Sequence, residues 1–240
     1  MDQSKSDETT IPVTVPVPIF TQYQEELEKR IREQIEFREF KKNIKKYIVT
    51  SVFTEPTFQT NRQFIEKIKT SPNPQMQSIE CIYCSSVKMS VKIPLDSVVY
   101  VLEMNNTQNK IEGIGLVRNH PHINRFRIYE NMNYNRFNFV GKNRIDRKEM
   151  TVEEEEIMAK LDVMCFRGKN HLKRQKGLYL FPPYKLFEYR KEIDFIQCVV
   201  NMFKNRMCKP VIPLPLHLPC QLQIETQGTQ KQQPQPEPQP

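Results

Sequence analysis

The chain has 240 residues, a formal charge of +8 and 38% hydrophobic residues, where a wholly folded chain carries roughly 45–50% with Gly counted. That shortfall predicts one domain of middling size with tails. With no run of about 18 apolar residues a membrane-spanning helix is excluded, and without Trp so is an indole cage. The polar, acidic N-terminus has no apolar signal core, which predicts no ordinary secretion, and the six cysteines then read as reduced thiols.

Residues 1–21 read as an extended or disordered leader, with Pro12, Pro16 and Pro18 among valines. A helix is expected over 22–48, its stripe formed by Leu27, Ile31, Ile35, Phe40, Ile44 and Ile48 and widened by Phe37 and Tyr47. Early glutamates and late lysines suit its dipole. The plain reading is a surface helix packed by one face; the other is a partner-binding helix. Mixed β and turn follow at 50–60, then a short helix at 61–69 with Asn61 as N-cap, stopped by Ser71-Pro72-Asn73-Pro74. Period-two patterning predicts strands at 77–84, 86–93, 97–104, 111–117, 124–129 and 134–140.

Thr151 caps a further helix that opens on Glu153 to Glu156, read as a solvated helix start, with an Ile157, Leu161 and Met164 stripe. After a basic loop come a strand at 177–181 and a helix from about 185 to 207. Residues 210–240 hold eight Pro and eight Gln and are expected to be disordered, with Pro210 to Pro219 still carrying apolar side chains. The domain is therefore placed at 22–209.

Segment 118–148 carries eight Lys/Arg against two acids, +6 in 31 residues. A hairpin of 124–129 with 134–140 would set Tyr129 against Tyr134, Arg127 against Arg136 and Arg125 against Asn138, all on one face, with Phe126, Ile128, Phe137 and Phe139 on the other. Arginines beside tyrosines suit single-stranded nucleic acid: guanidinium for phosphate, rings for stacking. The bland alternative is a solvated edge hairpin whose charge prevents aggregation. Lys142 and Arg144 extend the same basic stretch. The loop Arg167 to Gly177 adds Lys169, His171, Lys173, Arg174 and Lys176, bracketed by glycines that let backbone NH groups approach an oxyanion; a solvated loop is the alternative. Gly113 and Gly115 share a strand face, so a bulky neighbour must approach or the strand must bend, with a ligand slot as the alternative.

Cys81 and Cys84 have the spacing of half a zinc site, which His120 and His122 could complete. No second Cys-x-x-Cys follows and the segment looks like a strand, so buried thiols are preferred. The basic loop has no Walker pattern, and neither Gly-x-Ser-x-Gly nor His-Glu-x-x-His occurs. A non-catalytic protein without metal or cofactor is expected.

Val98-Val99-Tyr100-Val101-Leu102-Glu103, a polar loop, then Ile111-Glu112-Gly113-Ile114-Gly115-Leu116-Val117 resembles the central hairpin of PUA-like domains (the PUA, ASCH and EVE group). The resemblance implies a small curved barrel with flanking helices that binds RNA or a modified base. The stretches Tyr134 to Arg147 and Gly168 to Gly177 are similar to uncharacterised proteins of nucleocytoplasmic large DNA viruses. That implies a viral origin and a place in the host cytoplasm, a viral factory or the virion.

The expected architecture is α+β: a curved, mostly antiparallel sheet or partial barrel, PUA-like, packed by about three helices with disordered termini. The expected function is nucleic-acid binding, RNA ahead of DNA, without catalysis and without a membrane. The rival is a viral structural or assembly protein whose Pro-rich ends bind protein partners.

Overall fold

The computed structural model describes residues 19–123 and 125–207. Of the leader expected at 1–21, residues 1–18 lie outside the described residues, as does the tail expected at 210–240, while 19–21 form the start of a helix instead. The elements are α1 (Ile19–Asn43), β1 (Tyr47–Phe53), α2 (Glu55–Lys69), α3 (Pro74–Gln77), β2 (Cys81–Ser85), β3 (Val98–Asn105), β4 (Lys110–Arg118), β5 (His122–Ile123), β6 (Phe137–Gly141), β7 (Asn143–Asp146), α4 (Val152–Phe166), β8 (Leu178–Leu180), α5 (Pro183–Tyr189) and α6 (Phe195–Met207). Six helices thus stand among the described residues where about three were expected; the helix foreseen at 185–207 breaks into α5 and α6.

Five strands form one sheet in the order β7-β4-β3-β1-β8, and β2-β6-β5 form a second. All pairs are antiparallel except β1 with β3. The sheets are mostly antiparallel as expected, but they are two and form no closed barrel. Strands β7 and β8 end one sheet, β2 and β5 end the other, and neither closes on itself.

Strand alternation sorts the side chains into layers. From β3, Tyr100, Leu102 and Met104 face α4 and α6, packing with Met158, Leu161, Val199 and Phe203. Val99 and Val101 point the other way, into a core shared with Cys81, Tyr83, Phe137 and Phe139 of the second sheet. The far face of that second sheet carries Ile82 against Ile65 of α2, together with Phe126 and Ile128. The order of layers is helices, sheet, sheet, helix.

Three readings of the sequence change here. The helix expected to run to 48 stops at Asn43, because Tyr47–Phe53 is the strand between β3 and β8. Its β-branched run, Ile48, Val49, Thr50 and Val52, favours the pleated backbone. Asn61 is not a cap. Thr54 caps α2, and Asn61 is buried within it, its Nδ2 donating to the Ile82 carbonyl at 2.9 Å. No strand forms at 86–93; β2 ends at Ser85.

Thr151 does cap α4, with a reciprocal box: the Glu154 amide donates to Thr151 Oγ1 and the Thr151 amide to Glu154 Oε2. The glutamates of this first turn are not all solvated, however. Glu154 takes two bonds from Arg206, each 2.7 Å, and Glu155 takes two from Arg147, each 2.6 Å. Those arginine bonds hold both carboxyls below their ordinary range, while burial pushes Asp162 up. A lowered folded pKa gives stability that is complete above the unfolded value, about 4.3 for Glu, and is lost as pH falls through the folded value. Asp162 opposes that trend. The expected result is a Tm gap between the parent and Glu154→Gln at pH 6 that narrows as the pH drops from about 4 towards 2. Thermal melts across that range check it; a gap that stays constant would show that the pair does not titrate with unfolding.

Candidate nucleic-acid interface

The hairpin expected at 124–140 does not form in the anticipated register. Strand β5 pairs His122 with Asn138 and Ile123 with Phe137, a shift of three residues from the expected Arg125–Asn138 pair. Arg125 to Ile128 run beside β6 without a regular ladder. Two buried asparagines replace it. Asn138 Oδ1 accepts from the Phe126 amide at 2.8 Å; Asn135 Oδ1 accepts from the amides of Ile128 and Tyr129 at 2.9 and 3.1 Å. Asn135 Nδ2 donates to the Tyr129 carbonyl at 2.6 Å. The side-chain amides satisfy backbone groups that a second strand would otherwise have paired.

The expected alternation of exposed and buried residues survives this change, but the single apolar face does not: Phe137 and Phe139 enter the core between the sheets, while Phe126 and Ile128 join Ile65 and Ile82 on the α2 side. Phe126, Ile128, Phe137 and Phe139 are all buried, and Arg125, Arg127 and Arg136 are exposed. The Arg125 guanidinium lies 5.2 Å from the Phe126 ring centre and that of Arg136 5.2 Å from the Phe137 ring centre. Tyr129 leaves the expected face. It packs against the Ile65–Ile82 core, and its hydroxyl accepts from Asn61 Nδ2 at 3.3 Å. Burial there pushes its phenol pKa up. Tyr134 remains half-exposed.

Asn131 opens the turn that carries Tyr134: its Oδ1 accepts from the Asn133 amide at 3.1 Å, capping a 3-10 turn over Met132–Asn135. This turn forms one wall of a cleft of about 340 Å³ lined by Ser86, Asn131, Asn133, Tyr134, Arg136 and Lys176. Lys176 comes from the basic loop, and Gly177 explains its position. At φ +65° a side chain is disfavoured there, and a Cβ would lie 2.3 Å from Ser85 Oγ. The loop therefore closes directly onto the end of β2. Ser85 Oγ also donates to the Val87 carbonyl at 2.6 Å, bending the chain at Ser86. Lys88 Nζ stands 6.0 Å from the centre of the same Phe137 ring that Arg136 overlies. The cleft lining holds two cations and no carboxylate.

The other expected contacts are distributed elsewhere. Lys169 and Arg174 are exposed and Lys173 partly so, but none lines this cleft. His171 Nδ1 is buried without a hydrogen-bond partner among the described residues. Lys142 is exposed and borders a different cleft with Glu80, Asn143 and Arg206.

Arg144 is not a surface contact at all. Its side chain is 4% exposed, with two bonds to Glu103 Oε2 and one to Oε1 at 2.7–3.1 Å, and one to Asp146 Oδ2 at 2.8 Å. Tyr83 OH donates to Glu103 Oε1 at 2.7 Å, completing a polar cluster between the two sheets. The paired glycines make room for it. A Cβ on Gly115 would lie 1.9 Å from the Tyr83 hydroxyl, and one on Gly113 2.8 Å from an Arg144 nitrogen. The bulky neighbours that the glycines call for are thus Tyr83 and Arg144, which fill the space read alternatively as a ligand slot.

The zinc alternative loses its geometry. Cys81 and Cys84 lie three apart on β2, so one thiol faces the inter-sheet core and the other the α2 side. Burial pushes both thiols up to about 12. His120 Nδ1 instead meets Asp96 Oδ1 at 2.9 Å. Among the described residues no three His, Cys, Asp or Glu side chains converge as metal ligands.

Three of the residues that form the cleft, Ser86, Asn131 and Asn133, were not foreseen as contacts, and neither was the neighbouring Lys88. Ser86 and Lys88 fell in the strand expected at 86–93, and the two asparagines fell in the hairpin loop. Only the Asn-x-Asn turn pattern is a local signal for any of them. Among the described residues no helix is long and apolar enough to cross a membrane. Neither a protein-family model nor a curated protein nor a solved structure matches the chain.

Proposed function

We propose that the protein binds single-stranded nucleic acid, RNA ahead of DNA, without catalysis, at the cleft between Tyr134 and Lys176. The observation that carries this reading is the meeting of Tyr134, Arg136 and Lys176, drawn from segments 40 residues apart in sequence, around an opening with no acidic lining residue. Arg136 and Lys176 supply phosphate contacts, and the half-exposed Tyr134 ring supplies a stacking surface. Ser86, Asn131 and Asn133 add neutral hydrogen-bonding groups suited to a 2′-hydroxyl, which favours RNA. Exposed Arg125, Arg127, Lys169 and Arg174 contribute a wider attractive field. The viral resemblance would put this activity in a cytoplasmic factory or a virion.

Fluorescence anisotropy with a short single-stranded RNA, measured over a salt series, tests the proposal. Arg136→Ala with Lys176→Ala should weaken binding and flatten the log–log salt slope by about 1.4, at roughly 0.7 per lost phosphate contact. Tyr134→Ala should cost about 1–3 kcal/mol in binding with the slope nearly unchanged. All three side chains are exposed, so the melting temperature should stay with the parent. Parental affinity and slope in the double variant would sink the reading.

A further inference from the structure

A cavity of about 250 Å³ lies where the turn after α1, the end of β8 and the first turn of α6 meet. Its floor is apolar and belongs to the core: Ile48, Phe181 and Leu186 are 2%, 1% and 6% exposed. The sequence builds this floor from two chain reversals. Helix α1 ends at Asn43 and Ile44 to Lys46 turn the chain into β1, while Pro182 and Pro183 end β8 and open α5. The Phe181 amide donates to the Ile48 carbonyl at 2.9 Å, which joins the two reversals. Ile44 and Ile196, both partly exposed, add to the apolar lining.

The mouth of the cavity is cationic. Lys41, Lys46 and Lys92 line it and are exposed, so their ammonium groups stand on its solvent side. They come from α1, from the turn after it and from the loop before β3. No lining residue is acidic, and none of the three lysines enters an ion pair among the described residues. Lys41 Nζ lies 4.6 Å from the Phe37 ring centre, a contact that leaves its charge uncompensated.

We infer that this cavity binds a single-chain anionic amphiphile of the fatty-acid class, its hydrocarbon chain on Ile48, Phe181 and Leu186 and its carboxylate among the three lysines. The apolar floor favours a hydrocarbon body. Charge of one sign at the mouth favours an anionic head and rejects a cationic one. The volume falls just under the roughly 300–1,000 Å³ of pockets for drug-sized ligands, which suits one chain of medium length and not two. A peptide of the same charge fits less well: it would bring backbone NH groups for which the lining side chains offer only the Tyr47 hydroxyl.

Isothermal titration calorimetry of the full chain with decanoate, up to about 1 mM, should give saturable binding. Decanol and decyltrimethylammonium should bind about tenfold more weakly or worse, because neither pairs with the lysines. Isoleucine-methyl NMR locates the ligand: Ile44, Ile48 and Ile196 should shift, while Ile31 on the exposed side of α1 should not. Lys46→Glu with Lys92→Glu should keep the parental melting temperature, since both side chains are exposed, and should turn the preference towards decyltrimethylammonium. No binding of decanoate in that range would overturn the inference, as would equal affinity for the three amphiphiles, shifts led by Ile31, or a charge-reversed variant that still prefers decanoate. RNA binding at the Tyr134–Lys176 cleft does not depend on the result, because the two openings share no lining residue.

Discussion

Arg144→Met should destabilise the protein by about 3–5 kcal/mol, the usual cost of leaving one charge of a buried pair without its partner. Glu103 and Arg144 are 3% and 4% exposed, and among the described residues Glu103 pairs with no other cation. The phenol of Tyr83, pushed well up in pKa by burial, remains a donor to Glu103 but brings no positive charge. Urea unfolding is the measurement, and the midpoint should fall with the m-value unchanged. Tyr83→Phe and Glu103→Leu combined with Arg144→Met should recover most of the loss, because an apolar set of similar volume carries no desolvation cost and leaves no Tyr83 hydroxyl unpaired. If Arg144→Met costs less than about 1 kcal/mol, the ion pair is not what joins the layers. Any loss of the proposed RNA binding in this variant should follow its unfolding, since Arg144 does not line the Tyr134–Lys176 cleft.

Asn135→Ala should cost about 3 kcal/mol, with the damage confined to one segment. Its amide serves the NH groups of Ile128 and Tyr129 and the carbonyl of Tyr129. Each buried backbone group left unpaired costs roughly 1–3 kcal/mol; the low end applies because Tyr129 is only partly buried and can take water. Native-state hydrogen exchange should show faster exchange at the amides of Ile128 and Tyr129, with β3 and β4 still protected. The proposed RNA affinity should fall as well, since Asn135 closes the turn that presents Tyr134. Undiminished protection at Ile128 would show that the segment is held by its apolar side chains alone.

How much could be read in advance depended on whether the determining contacts were local. Strands β3 and β4 were legible because alternation and a polar loop lie within about twenty residues, and their pairing joins Val99 to Val117 and Val101 to Gly115. The α4 cap was legible because Thr151 and Glu154 are three residues apart. The alternation of Arg125 and Arg127 with Phe126 and Ile128 also held. Strand β1 was hidden because its apolar residues continued a helical stripe, and its two partners lie far along the chain. The hairpin register failed because Asn135 and Asn138 resemble loop and edge residues in a sequence but act as backbone substitutes when buried. Arg144 was misassigned for a related reason: its charge was counted with the surface, while its counter-charge, Glu103, lies 41 residues away.

The place of β1 also bears on how the chain is made. Its sequence, Tyr47 to Phe53, leaves the ribosome well before either neighbour: β3 begins at Val98 and β8 at Leu178. At about 5–20 residues per second, roughly 6–25 seconds separate the completion of β1 from the arrival of β8. Throughout that interval a β-branched, mostly apolar strand keeps at least one unpaired edge, the form of backbone most prone to join another chain. Nascent chains stalled before residue 178 should therefore depend on chaperones far more than chains stalled after the end of α6.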